Sequence, residues 1–245
     1  RSLMKHVALR RRKFLVVAFE WFMVLAGGSI IILAVYLVTI LSSLPSPEEF
    51  DASRVTQSTK IYDRTGKVLL YEVHGEERRT VVPFEEIPAV VRGATLAAED
   101  AHFYSNPAFD WKSMLRALVT NVREGRITQG GSTITQQLAK AVFLSPERTV
   151  ARKLKELVLA VRLEAKYSKD EILYFYLNQI PYGSNAYGVE AASRTFFGKS
   201  VKDLALEEAA LIASLSQAPS YYSPYGYHVD ELMARKNYAL DQMQK

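Results

Sequence analysis

The sequence predicts a mainly α-helical domain with a small β-hairpin element, preceded by a single transmembrane helix. Three observations carry this. Residues Trp21–Ser43, WFMVLAGGSIIILAVYLVTILSS, run for 23 positions without a charge. Residues 59–73, TKIYDRTGKVLLYEV, hold two β-type runs around Asp63-Arg64-Thr65-Gly66, a hairpin signal. From Pro88 onward the apolar residues recur at helical spacing, with glycines and prolines between the stretches.

As a helix the 23 residues 21–43 span about 34 Å, enough for a hydrocarbon core of about 30 Å. A buried core helix of that length would show a polar face, and a signal peptide a shorter apolar run with a small-residue cleavage site. Residues 1–20 form a basic tail, with Arg10, Arg11, Arg12 and Lys13 beside the apolar run. The positive-inside rule then places the N-terminus in the cytoplasm and everything after Pro45 outside. Residues 44–87 read as a polar linker and the hairpin, whose second run continues toward ERRTVVPFEEIP. Residues 88–245 form the helical domain, with helices expected at 88–101, 110–124, 134–144, 149–166, 169–178, 185–196 and 205–217.

The net charge is +5, but six cations and no acid lie in residues 1–13, which leaves a net −1 for residues 14–245. A basic tail on a near-neutral body argues against a nucleic-acid-binding domain, which carries its charge on a folded face. The absence of cysteine removes disulfides and thiolate metal sites. The four histidines, His6, His74, His102 and His228, are too scattered for a zinc site.

Four segments carry chemistry. In the first, residues 97–104 (AAEDAHFY), the apolar run VVRGATLAA brings Glu99 toward a low-dielectric region. Burial raises a carboxyl pKa and suits it to proton transfer near neutral pH. A solvated helix end explains the same pattern. The second, residues 128–140 (TQGGSTITQQLAK), pairs Thr133 with Gln136 as a capping box at a helix start. Gly130 and Gly131 free the backbone to approach a ligand, and first-turn amides favour an anion. Thr133, Gln136, Gln137 and Lys140 can share one helix face, though the pattern alone favours an ordinary capped helix.

In the third segment, residues 148–156 (RTVARKLKE), Arg152 and Lys153 lie one turn before Glu156, with Arg148 one turn further back. A carboxylate flanked by cations suits a pyrophosphate held directly or through a divalent cation. A surface ion-pair ladder is the alternative. The fourth, residues 169–178 (KDEILYFYLN), reads as a scaffold helix in which Asn178 orients a loop.

In their order, EDAHF, GGSTITQQLAK, RKLKE and KDEILYFYLN resemble the peptidoglycan glycosyltransferases of glycosyltransferase family 51. These are the transglycosylase domains of class A penicillin-binding proteins and their monofunctional relatives. The stretches YGVEAASRTFFGK, LEEAALIASLSQAPSYYSP and ARKNYAL add to the resemblance, which covers residues 58–245. IYDRTGKVLL resembles the lead-in of bifunctional members, so the chain is expected to be the N-terminal part of one, without its transpeptidase domain. Asn106 and Ala108 stand where the family's first motif usually has histidine and glycine.

The resemblance implies a lysozyme-like helical fold with a membrane-dipping region around Phe109, Trp111, Met114 and Leu115. It implies that lipid II attacks a growing lipid-linked glycan, releasing undecaprenyl pyrophosphate with inversion to a β-1,4 link. Glu99 would deprotonate the acceptor hydroxyl, and Glu156 would help the leaving pyrophosphate, with Mg2+ or Mn2+ or with the nearby cations. Lys140, Arg148, Arg152 and Lys153 would hold phosphates; Ser132, Thr133, Gln136 and Gln137 would line the cleft; Asp100, Phe103 and Asn178 would support it. The implied setting is the bacterial cytoplasmic membrane, with other cell-wall synthesis or division proteins as partners. Two other readings are a muramidase or lytic transglycosylase on a lysozyme-like fold, and a non-catalytic membrane-anchored scaffold.

Overall fold

In the first of the two units into which the chain divides, Arg1–Leu44, one helix runs throughout: α1, Ser2–Ser42. The computed structural model describes residues 2–45, 58–65, 69–73, 78–108, 131–145, 147 and 149–244. The helix thus begins inside the basic tail, ahead of the apolar run. Phe22, Leu25, Ile30, Ile32 and Val35 all stand exposed around it, so no side of its apolar run is polar. Its hydroxyls are satisfied within the helix, Ser29 to the Leu25 carbonyl and Thr39 to the Val35 carbonyl, both at 2.8 Å. The segment Phe19–Ile40 is long and apolar enough to cross a membrane.

The second unit opens with the expected hairpin. Strand β1 (Thr59–Tyr62) pairs antiparallel with β2 (Leu69–Val73), Thr59 opposite Val73. A second small sheet was not expected. Strand β3 (Arg78–Arg79) lies parallel to β5 (Ala186–Tyr187), which pairs antiparallel with β4 (Pro181–Gly183).

The helices of this unit are α2 (Ala89–Glu99), α3 (Ile134–Phe143), α4 (Val150–Lys166), α5 (Lys169–Gln179), α6 (Val189–Phe197), α7 (Leu206–Leu215) and α8 (Val229–Met243). They form two groups. α2, α7 and α8 pack on one another, and their buried faces are rich in alanine: Ala94, Ala97 and Ala98 on α2, Ala209, Ala210 and Ala213 on α7, Ala239 on α8. Small side chains let helix axes approach closely. α3 packs on α4 and α5 through larger residues, Ile134, Leu138, Leu159, Leu163, Leu173 and Leu177. Each such side chain contributes about 1.5–3 kcal/mol by burial.

One expected helix start shifts by four residues. The helix expected at 185–196 starts at Val189, because Asn185 (φ 57°) and Gly188 (φ 81°) take left-handed backbone that a helix cannot hold. α8 lies beyond the last expected helix, and the stretch expected at 110–124 lies outside the described residues. Asn178, buried on α5, accepts from the Val82 N–H (2.9 Å) and donates to the Val82 carbonyl (3.2 Å). It thereby fixes the segment that leads from β3 through a 3-10 turn (Phe84–Glu86) into α2.

At Gly188 a β-carbon would sit 2.7 Å from the Asn178 carbonyl oxygen. Gly188→Ala is therefore expected to lower the unfolding free energy by about 2–4 kcal/mol, measured by denaturant titration.

Candidate active site

Glu99 is the last residue of α2, and helical spacing from the buried Val91, Ala94, Thr95 and Ala98 turns it inward. Its side chain is only 3% exposed, yet its surroundings are polar. Gln137 Nε2 donates to Oε2 at 2.6 Å. Arg235 Nη2, from α8, donates to Oε1 at 2.7 Å. Ser216, just past α7, places its hydroxyl 2.8 Å from Oε1 and 2.7 Å from the Ala213 carbonyl, and its single proton serves one at a time. Glu99 is thus buried as expected, but with polar donors and not apolar side chains around its carboxylate.

Two tyrosines complete this wall. Tyr176 OH donates to Gln137 Oε1 at 3.0 Å, which turns the amide so that its NH2 faces Glu99. Tyr182 is 1% exposed, and among the described residues its hydroxyl has no hydrogen-bond partner. Burial first, then the charge of Glu99, push the Tyr182 phenol above its ordinary pKa and keep it protonated.

Asp100 does not face the same group. Its Oδ2 accepts from the Ile134 N–H at 3.3 Å, at the start of α3. Thr133 Oγ1 accepts from the Gln136 N–H at 3.3 Å, so two of the helix's first amides already have acceptors from the protein itself. The expected capping box is half made, because the Gln136 side chain is used elsewhere: Nε2 donates to the Ala108 carbonyl at 3.0 Å. Thr133 Oγ1 donates to that carbonyl as well, at 3.2 Å.

Glu156, 2% exposed on α4, meets Arg152 Nη1 at 2.8 Å through Oε2 and Lys153 Nζ through Oε1. Lys153 Nζ also donates to Ser132 Oγ (2.8 Å) and to Gln136 Oε1 (3.1 Å). The adjacent glutamines of α3 therefore join the two acids. Gln137 holds Glu99, and Gln136 holds the lysine paired with Glu156. Lys140, on the last turn of α3, is exposed. Arg148 lies outside the described residues, as do Gly130, Phe109, Trp111, Met114 and Leu115.

The loop carrying Asn106 and Ala108 is held through its backbone. Lys169 Nζ donates to the Asn106 carbonyl at 2.8 Å and pairs with Glu164 at 2.6 Å, while Thr135 Oγ1 donates to Glu164 at 2.7 Å. The same ammonium lies 4.7 Å from the centre of the buried Phe103 ring. Ala108 has no positive φ, so its position makes no demand for glycine.

A divalent cation needs free oxygen ligands. Each Glu156 oxygen already faces a cationic nitrogen, and no three acids or histidines gather among the described residues. A Mg2+ or Mn2+ at Glu156 would have to displace one of these nitrogens and take its other ligands from the substrate's phosphates. Arg235, Ser216, Tyr176 and Tyr182 are the site residues that motif reading missed. Arg235 did leave a signal: it lies three residues after Leu232 and four before Ala239, a cation on the buried face of its helix.

The family model for transglycosylases matches residues 66–244. Penicillin-binding protein 1A of Aquifex aeolicus (strain VF5) is 44% identical over 211 residues, 86% of this chain and 29% of that relative. Penicillin-binding protein 1A of Escherichia coli (strain K12) is 42% identical over 219 residues, 89% of this chain and 25% of that relative. The chain thus spans under a third of the length of these curated relatives. A crystal structure of penicillin-binding protein 1A from Haemophilus influenzae covers 78% of this chain and 18% of its own, at 27% identity and a TM-score of 0.39.

Lys153→Met is expected to cost about 1–3 kcal/mol of stability, and less when Glu156→Gln is already present. A double-mutant cycle by denaturant unfolding reads that coupling.

Proposed function

The chain belongs to the transglycosylase family, and from that premise we propose that it is a peptidoglycan glycosyltransferase that polymerises lipid II. The observation that carries the reading is the unequal engagement of the Glu99 oxygens. Among the described residues Oε1 faces two donors, Arg235 and Ser216, while Oε2 faces one, Gln137. A carboxylate oxygen accepts about two hydrogen bonds, so Oε2 has an acceptor position to spare. There Glu99 takes the proton of the acceptor sugar's 4-hydroxyl as its oxygen attacks C1 of the donor. The C1–O bond to the pyrophosphate breaks on the opposite face, giving a β-1,4 link. Arg235 fixes the base without competing for Oε2.

Glu156 acts on the leaving group through its neighbours. It holds Arg152 and Lys153 side by side, and with Lys140 and Arg148 they supply the positive charge for a departing pyrophosphate. Against the glycosidase reading, Asp100, the acid next to Glu99 in sequence, turns to the start of α3. Among the described residues every hydrogen-bond partner of the Glu99 side chain is a donor. α1 tethers the enzyme where a polyprenyl substrate lies, in the bacterial cytoplasmic membrane. The basic tail is in the cytoplasm and the second unit outside.

Labelled lipid II, given to the chain in detergent with Mg2+, with Mn2+ and with chelator, tests this. The chain is expected to form polymer, and Glu99→Gln to lose at least about a hundredfold in rate. Cleavage of finished glycan would favour a hydrolase, and no turnover of either substrate a scaffold. Arg235→Met is expected to lower the rate about tenfold or more, with partial rescue by Arg235→Lys, because the base loses its positioning partner. Glu156→Gln is expected to cripple polymerisation; near-normal rates would remove it from the mechanism.

A further inference from the structure

Residues 216–228, SQAPSYYSPYGYH, contain four tyrosines but no lysine, no arginine and no aliphatic side chain larger than proline. The segment starts at the site, since Ser216 touches Glu99. It is pinned by its own backbone: the Tyr221 and Tyr222 N–H groups both donate to the Ala218 carbonyl at 2.9 Å, and the Gly226 N–H to the Ser223 carbonyl at 3.0 Å. A chain of ring contacts leads from the Glu99 partner Arg235 to His228. The Arg235 guanidinium, paired with Glu99, lies 5.8 Å from the centre of the Tyr222 ring. Tyr222 meets Tyr221 edge-on at 5.1 Å, and Tyr221 stacks on His228 at 3.8 Å. Tyr225 rests one face on Phe196 and is 74% exposed; Tyr227 is 102% exposed.

Exposed aromatic rings on an ordered turn are a binding surface. Resting on the polymerase reading above, we propose that this turn is a saccharide platform. Tyr225 and Tyr227 stack against the apolar faces of β-1,4-linked N-acetylated sugars next to the reacting pair, holding the glycan chain between additions. Tyrosine with serine and glycine offers rigid rings plus hydroxyls, a chemistry suited to sugars. Tyrosines also sit at membrane interfaces, but this segment has no basic side chain to meet anionic headgroups.

The test titrates the full chain in detergent with tetra-N-acetylchitotetraose, following the tyrosine ring resonances. The parent is expected to show shifts at Tyr225 and Tyr227. Tyr227→Ala, which removes a side chain wholly outside the core, is expected to weaken binding about fivefold. Tyr225→Phe keeps the ring and should bind as the parent does. With labelled lipid II, Tyr225→Ala/Tyr227→Ala is expected to yield shorter polymer. Unchanged oligosaccharide affinity, or parent-length polymer from the double variant, overturns the platform. Loss of binding to anionic phospholipid vesicles with oligosaccharide affinity intact assigns the rings to the membrane and also overturns it. The two readings fail separately. Oligosaccharide binding at these rings without any polymerisation would refute the polymerase and leave the platform, while normal polymer from the double variant would do the reverse.

Discussion

A carboxylate buried to 3% exposure cannot stay charged without donors, and meeting that demand at Glu99 ties the second unit together. α2 supplies the acid, α8 the arginine, the end of α7 the serine and α3 the glutamine. The alanine-faced group and the leucine-rich group thus meet in one polar knot. Tyr176 of α5 sets the glutamine in turn. Removing any one donor leaves a buried charge less satisfied, so the site and the fold share their most costly interaction.

The second acid depends on the first through α3. Gln136 and Gln137 are consecutive, and consecutive helical positions point about 100° apart, so one short helix serves both acids from two faces. Asp100, one residue beyond Glu99, binds the start of that same helix. Displacement of α3 would therefore be felt at Glu99, at Asp100 and at the Lys153–Glu156 pair together. The loop with Asn106 and Ala108 belongs to this system through its carbonyls, and a backbone contact is blind to the side chain that replaces histidine or glycine.

Much of this was legible in the residues. The hairpin, α1, and the cores of α2 to α7 follow from run length and period, and the ion pairs of Glu156 follow from helical spacing. What was hidden has physical reasons. Strands of two and three residues, such as β3 and β4, are too short to show alternation. α8 buries only Leu232 and Ala239 fully, which gives it a faint apolar period. Arg235 reaches Glu99 across 136 positions, a pairing that no local pattern encodes. The half-made capping box went the same way: Gln136 fits the local motif, but Ala108 and Lys153 claim its side chain.

Formate rescue of Glu99→Ala addresses the central claim most directly. The cavity so made keeps the donors of Gln137, Ser216 and Arg235, which can hold a small carboxylate in place of the lost one. The folded variant is predicted to form no polymer from lipid II alone and to regain polymerisation in proportion to added formate. Polymerisation at the parent rate without formate would contradict the assignment of Glu99 as the base.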